Sequence, residues 1–210
     1  MAERPFRPPA AKPKSTRLRA FMLVSVVLMG AAAFLVGSGL VFGPESGTSA
    51  TKGLTGDTTT ISISGRKFRL ELALTHEKRF KGLSGRDTIP ADGGMLFVFS
   101  RPVVTAFVMR DCPVPIDVIY LDKSGRITAM HQMQPDAPRA AHEQNRSAPT
   151  PSAPAWEWVN DAYESRLTKH PSRYAIQFAI ELRGGTLPSL GLKEGDKIEF
   201  DYQSLISRAE

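Results

Sequence analysis

Asp117 is the residue of this chain placed most pointedly for chemistry. It lies in the run Ile116-Asp117-Val118-Ile119-Tyr120-Leu121, where every other side chain is apolar or aromatic. A strand sends successive side chains to opposite faces. Asp117 then shares a face with Ile119 and Leu121, while Ile116, Val118 and Tyr120 share the other. Both faces are apolar, so Asp117 is expected to be at least partly buried. A buried carboxylate needs partners, or it shifts its pKa. With partners, backbone donors or Arg86 or Arg110, it is a structural acceptor that fixes a loop. Without them it is a binding group or an acid/base.

Other combinations carry less. Cys112, His131 and Asp117 contain the parts of a nucleophile, base and orienting acid. Nothing in their spacing brings them together, and Cys112 directly precedes Pro113. As the single cysteine, Cys112 also excludes an intrachain disulfide framework. His76, His131, His142 and His170 are scattered, without the close pairs of a metal site. Gly93-Gly94 and Gly184-Gly185 are turns, not glycine-rich loops opening long helices. No catalytic residue, metal ligand or cofactor is therefore assigned. Glu77, Arg79 and Arg86 surround a short helical turn, and Arg86 is the one best placed to rim a pocket. The expected binding residues are Arg86, Arg110, Asp111 and Asp117. A hydrolase using Asp117 as acid or base is the alternative, and it requires Asp111, Asp117, Glu181 and His131 to gather at one pocket.

These residues must be positioned by strands. Phe68, Leu70, Leu72 and Leu74 alternate with Arg69, Glu71 and Ala73, the period of a half-buried strand. Thr75 caps a short helix that Gly82 ends. Ile89–Gly94 is a turn, and Met95–Phe99 is a buried strand. Thr105–Met109 and Val114–Leu121 read as strands. The turn Asp122-Lys123-Ser124-Gly125 returns the latter to Ile127–Met133 as a hairpin. Residues 134–172 hold six prolines and form a long, partly ordered excursion, in which Trp156, Trp158 and Tyr163 dock locally. Tyr174–Leu182 alternates again, with Ala175, Gln177, Ala179 and Glu181 on its second face. Thr186–Leu190 is one helical turn, and Lys197–Tyr202 a last strand. Seven or so short strands with one or two short helices give a mainly β domain, a sandwich or barrel, over residues 61–205.

Ahead of it lie three segments. Residues 1–19 carry Arg4, Arg7, Lys12, Lys14, Arg17 and Arg19 against Glu3, which is most of the net charge of +6. A nucleic-acid binder places its basic patch on the folded domain, so nucleic acid is excluded as a partner. Residues 20–43 hold no charge. As a helix they span about 36 Å, enough to cross a hydrocarbon core of about 30 Å. A cleaved signal peptide has a shorter apolar core, so an uncleaved membrane anchor is expected, with the basic tail cytoplasmic. Residues 44–60 are a Gly/Ser/Thr-rich linker.

Three segments carry a resemblance to a known family: Glu77-Lys78-Arg79-Phe80-Lys81-Gly82-Leu83-Ser84-Gly85-Arg86, Gly94–Phe99, and Phe107-Val108-Met109 through Pro115-Ile116-Asp117-Val118-Ile119-Tyr120. A weaker fourth joins Ile180–Gly185 to Gly191–Asp196. From Phe68 to Tyr202 the chain resembles the bacterial and archaeal family called domain of unknown function 192. The resemblance implies a jelly-roll-like β-sandwich, often secreted or membrane-anchored, and no settled activity. Where the family reads Phe-Trp-Met-Lys-Asn-Thr, this chain has Phe107-Val108-Met109-Arg110-Asp111-Cys112, and its 134–172 excursion is longer than the family's connection.

The resulting expectation is a domain held outside the cytoplasm by a single membrane helix. It acts as an accessory module binding a small ligand, an envelope polysaccharide or a membrane protein. The aromatic excursion is a further candidate for partner binding.

Overall fold

The computed structural model describes residues 57–210. The basic tail, the apolar run 20–43 and nearly all of the linker lie outside the described residues. Among the described residues, no helix is long and apolar enough to cross a membrane.

Strand β1 (Thr58–Ile63) begins inside the segment read as linker and turns at Ser64-Gly65 into β2 (Arg66–Ala73). Phe68, Leu70 and Leu72 are buried, as the alternation requires. β2 then pairs in parallel with β3 (Gly93–Val103). A parallel pair needs a crossover connection, and residues 74–92 supply it. Helix α1 (His76–Lys81) sits in this crossover, with the Thr75 side chain accepting from the Lys78 N–H and Gly82 at φ 51° ending it. β4 (Ala106–Phe107) is much shorter than the strand expected at 105–109. β5 (Ile116–Leu121) and β6 (Ile127–Met133) form the expected hairpin. In its turn, Asp122 Oδ1 accepts from the Ser124 and Arg126 N–H groups.

The 134–172 excursion is built of short elements: 3-10 turns at Ala141–Glu143 and Ala155–Glu157, helix α2 (Asp161–Arg166) and strand β7 (His170–Pro171), which pairs with β4. Strand β8 (Ile176–Arg183) follows, then helix α3 (Leu187–Leu190). The expected last strand at 197–202 does not form. Lys197 makes a single bridge to Arg126, and Asp201 caps helix α4 (Tyr202–Ile206) by accepting from the Ser204 N–H.

The protein is mainly β. Six strands form one sheet in the order β1-β2-β3-β8-β5-β6, and β4 and β7 form a two-stranded ribbon. The sheet does not close on itself, so the expected barrel is corrected, and the ribbon is too small to be the second sheet of a sandwich. The segment after β8 covers one face with turns and helices instead of strands. Its Leu190, Ile198 and Leu205 share a core with Ile61, Leu70, Leu96, Ile119 and Ile180. The other face packs Met95, Phe97, Val118, Tyr120 and Ala179 under the crossover and the ribbon.

β8 lies between β3 and β5, and all its residues from Ile176 to Leu182 are buried. That central place puts the second face of its alternation, including Glu181, into the interior.

Candidate functional site

The four expected binding residues fall into two groups. Asp117 is 1% exposed and pairs across the sheet with Leu182, on the face covered by the segment after β8. Its Oδ2 accepts the Leu187 N–H at 2.7 Å, at the first turn of α3. An unpaired N–H at a helix start is one of the groups a helix cannot satisfy internally. Asp117 therefore fixes a loop through a backbone donor, and neither Arg86 nor Arg110 is its partner.

The segments that carry the other three residues are joined by two hydrogen bonds. The Gly85 N–H donates to the Asp111 carbonyl at 2.8 Å, and the Ser84 hydroxyl donates to the Arg110 carbonyl at 2.7 Å. Each side chain is already paired. Arg86 donates to both oxygens of Glu71, at 2.5 and 2.7 Å. Arg110 donates to both oxygens of Glu164, at 2.6 and 2.7 Å, and lies 4.3 Å over the Phe80 ring. Asp111 accepts from Arg139 at 2.7 and 2.9 Å, while its own N–H donates to the Tyr163 hydroxyl oxygen. Asp111 also holds a positive φ of 52°. Burial pushes the Asp111 carboxyl up, but the Arg139 hydrogen bonds and charge outweigh it and hold it below the usual range.

Two of these pairs reach into the excursion, which is thus a clamp on residues 109–112. Its own structure is tied by Arg166, which donates to both oxygens of Glu143 at 2.7 and 2.8 Å. Those bonds, with the Ala140 N–H, draw Glu143 down to about 2. The guanidinium carbons of Arg139 and Arg166 lie 3.7 and 4.8 Å from the centre of the Tyr163 ring. Trp156 docks edge-on against Phe80, whereas Trp158 is 42% exposed and donates its indole N–H to the Ala153 carbonyl.

A catalytic cluster does not form. Cys112 is buried and its thiol is pushed up to about 12 by burial, so it holds its proton. His131 Nε2 lies 2.9 Å from the Pro171 carbonyl oxygen. No group of metal-ligating residues is present among the described residues. The gathering of Asp111, Asp117, Glu181 and His131 that a hydrolase requires is absent, since Asp117 lies on the opposite face of the sheet from Glu181.

Glu181 itself is the finding. Its cross-strand neighbours are Met95 and Val118, which belong to the core under the crossover. Its side chain therefore rises on that face. There it meets a cleft of about 250 Å3, walled by Phe80, Leu83, Phe97, Phe107, Arg110 and Cys112. Phe97 and Phe107 pack edge to face at 4.8 Å. Gly82, which ends α1, passes close by: a Cβ there would come within 3.3 Å of Phe97 and 3.7 Å of Glu181 Oε2. Glu181 is 5% exposed, and its Oε2 has no hydrogen-bond partner. Burial raises the carboxyl to about 8, against the pull of the nearby Arg86 charge. Near neutral pH it is a neutral acid with a proton to donate. The cleft can therefore take a small, partly apolar molecule and offer it one buried hydrogen-bonding group.

The model of domain of unknown function 192, described as "Uncharacterized ACR", matches residues 59–200 of this chain. Similar solved structures include a candidate transcription regulator from Sinorhizobium meliloti 1021, 24% identical, with a TM-score of 0.47 over 68% of this chain and 90% of that one. Another is a protein of unknown function from Novosphingobium aromaticivorans DSM 12444, 26% identical, with a TM-score of 0.49 over 68% of this chain and 83% of that one. No curated protein matches the chain.

Proposed function

The chain belongs to the family of domain of unknown function 192, and from that premise we propose that it is a membrane-tethered binding module whose ligand enters the cleft over Glu181. One observation carries the binding reading: a buried carboxyl oxygen without a partner in a cleft. Buried polar atoms are nearly always paired, and each exception calls for an explanation. A ligand that supplies the missing bond is such an explanation. Small-molecule sites have this composition, apolar walls with one or two placed polar groups.

The tether rests on the sequence. The uncharged run 20–43 is long enough to span a bilayer, and the basic residues before it orient the domain away from the cytoplasm. Asp117 as acid or base is not favoured, because its carboxylate is engaged by the Leu187 N–H.

Two experiments test the two halves. Ligand-observed NMR of small-fragment mixtures with the full chain should give hits that Val108→Trp, at the cleft, abolishes. Hits that survive the substitution unchanged would remove the cleft from the reading. Full-length protein should sediment with membranes, and a chain lacking residues 20–43 should not. Equal partitioning of the two would remove the tether.

A further inference from the structure

The ionisable groups on the cleft differ in kind between floor and mouth. On the floor, Glu181 is the one acid, beside the thiol of Cys112. At the mouth every ionisable group is basic: His76 and Lys81 are exposed, and Arg79 and Arg110 are half-buried. Arg110 is matched by Glu164. Arg79 is held by the backbone oxygens of Leu74, Val98 and Glu210, and the Glu210 charge also acts on it. Lys81 makes no ion pair among the described residues. Lys81 is thus the cation of the mouth that no acid matches, above an acid that burial keeps protonated.

Extending the binding reading above, on which this rests, we propose that the cleft takes a small organic carboxylate, its apolar body against Phe97 and Phe107 and its carboxylate sharing the proton of Glu181. A carboxylate is the strongest ordinary acceptor for a buried O–H, since a charge-assisted bond of this kind is about twice as strong as a neutral one. Two carboxyl groups in contact cannot both ionise and hold one proton between them. An organic amine is the contrary choice: it could ionise Glu181, but it must enter past a cationic mouth. At about 250 Å3 the cleft is smaller than the range of about 300–1,000 Å3 that holds drug-sized ligands. An aromatic ring with a short acidic arm is the size that fits.

The groups facing Glu181 do not replace its proton. From β5, Tyr120 is raised by burial and stays neutral, as does Cys112 from the 109–112 loop. Arg86, from the loop after α1, acts on Glu181 through its charge but spends its hydrogen bonds on Glu71 of β2. His76, Arg79 and Lys81 from α1 and Arg110 complete the set.

The test uses 3-phenylpropionate, 3-phenylpropanamide and 3-phenylpropylamine as probes of one shape. Binding to the full chain is measured by calorimetry at pH 6, 7.5 and 9, in the wild type, Glu181→Gln and Val108→Trp. The acid should bind at least about tenfold more tightly than the amine at pH 6. Its affinity should fall by about tenfold per pH unit once Glu181 ionises. Glu181→Gln should remove that pH dependence, and Val108→Trp the binding. An amine or amide that matches the acid, in the wild type but not in Val108→Trp, overturns the carboxylate assignment and leaves the cleft as a binding site. So does pH-independent binding of the acid. Acid binding that survives Val108→Trp overturns both readings, and no acid binding at millimolar concentration overturns the assignment.

Discussion

Two buried carboxyl groups sit on neighbouring strands of one sheet and behave in opposite ways. Asp117 has a backbone donor, and Glu181 Oε2 has none. Asp117→Ala would leave the Leu187 N–H without its acceptor, and hydrogen bonds to charged groups contribute about 1.5–3 kcal/mol. The expected loss of stability in urea unfolding is about 2 kcal/mol, and a loss under 0.5 kcal/mol would contradict the structural role. For Glu181 the folded value of about 8 lies above the ordinary 4.5. Between these values the folded protein keeps a proton that the unfolded chain has released. Stability therefore falls as pH rises from 4.5 to 8 and levels off above it. Glu181→Gln has no charge to bury, so it should match the wild type in thermal melts at pH 4.5 and exceed it at pH 8.5. A tenfold difference in proton affinity between the folded and unfolded chain is worth about 1.4 kcal/mol. An advantage smaller than that at pH 8.5 would mean that Glu181 ionises without difficulty. The burial and facing of Asp117 were legible in the sequence, because they depend only on alternation within Ile116–Leu121. The state of Glu181 was not, because the alternation of Tyr174–Leu182 puts Gln177, Ala179 and Glu181 on one face without saying what covers that face.

Among the elements, the excursion over residues 134–172 differs most from its sequence pattern. Its six prolines and polar composition read as a loose loop, yet it contributes Arg139, Tyr163 and Glu164 as partners for Arg110 and Asp111. Those pairs span 28 to 54 positions along the chain, and no local pattern reports them. Arg139 has a side chain only 8% exposed. Removing one member of such a pair leaves the other uncompensated. Arg139→Ala should therefore free the excursion from the 109–112 loop, and limited proteolysis should cut within residues 140–160 several-fold faster than in the wild type. An unchanged cutting rate would mean that the clamp is held elsewhere. The Glu143–Arg166 tie inside the excursion has the acid-side sign. Glu143 is depressed to about 2, so its contribution is complete above 4.5 and is lost as pH falls through 2.

At the scale of the whole molecule, the sheet depends on the segment after β8. Leu205 is 1% exposed and belongs to the same core as β1, β2 and β5. Leu205→Ala should cost about 2–5 kcal/mol by calorimetry, the usual range for a buried leucine. A cost below 1 kcal/mol would show that α4 is dispensable to the core. The sequence read this region as a final strand because Ile198, Phe200 and Tyr202 alternate. The structure uses all three as core contacts without a strand, since Phe200 and Tyr202 pack on Phe178 from a turn and the start of α4. Side-chain alternation and backbone pairing are separable, and only the first is written locally.

The same division runs through the protein. The sequence by itself determined what depends on near neighbours: the strands β2, β5 and β8, the hairpin turn at 122–125, the Thr75 and Gly82 caps of α1, and the family to which the domain belongs. The tertiary structure alone decided the order β1-β2-β3-β8-β5-β6, the single open sheet where a sandwich or barrel was expected, and the placing of Asp117 and Glu181 on opposite faces of the sheet. Burial is set by what covers both sides of a strand. For Glu181 that cover comes from Gly82, Phe97, Phe107 and Cys112, some 70 to 100 residues away in the chain. A carboxyl whose own strand does not report its cover becomes a neutral acid in a cleft once those segments close over it.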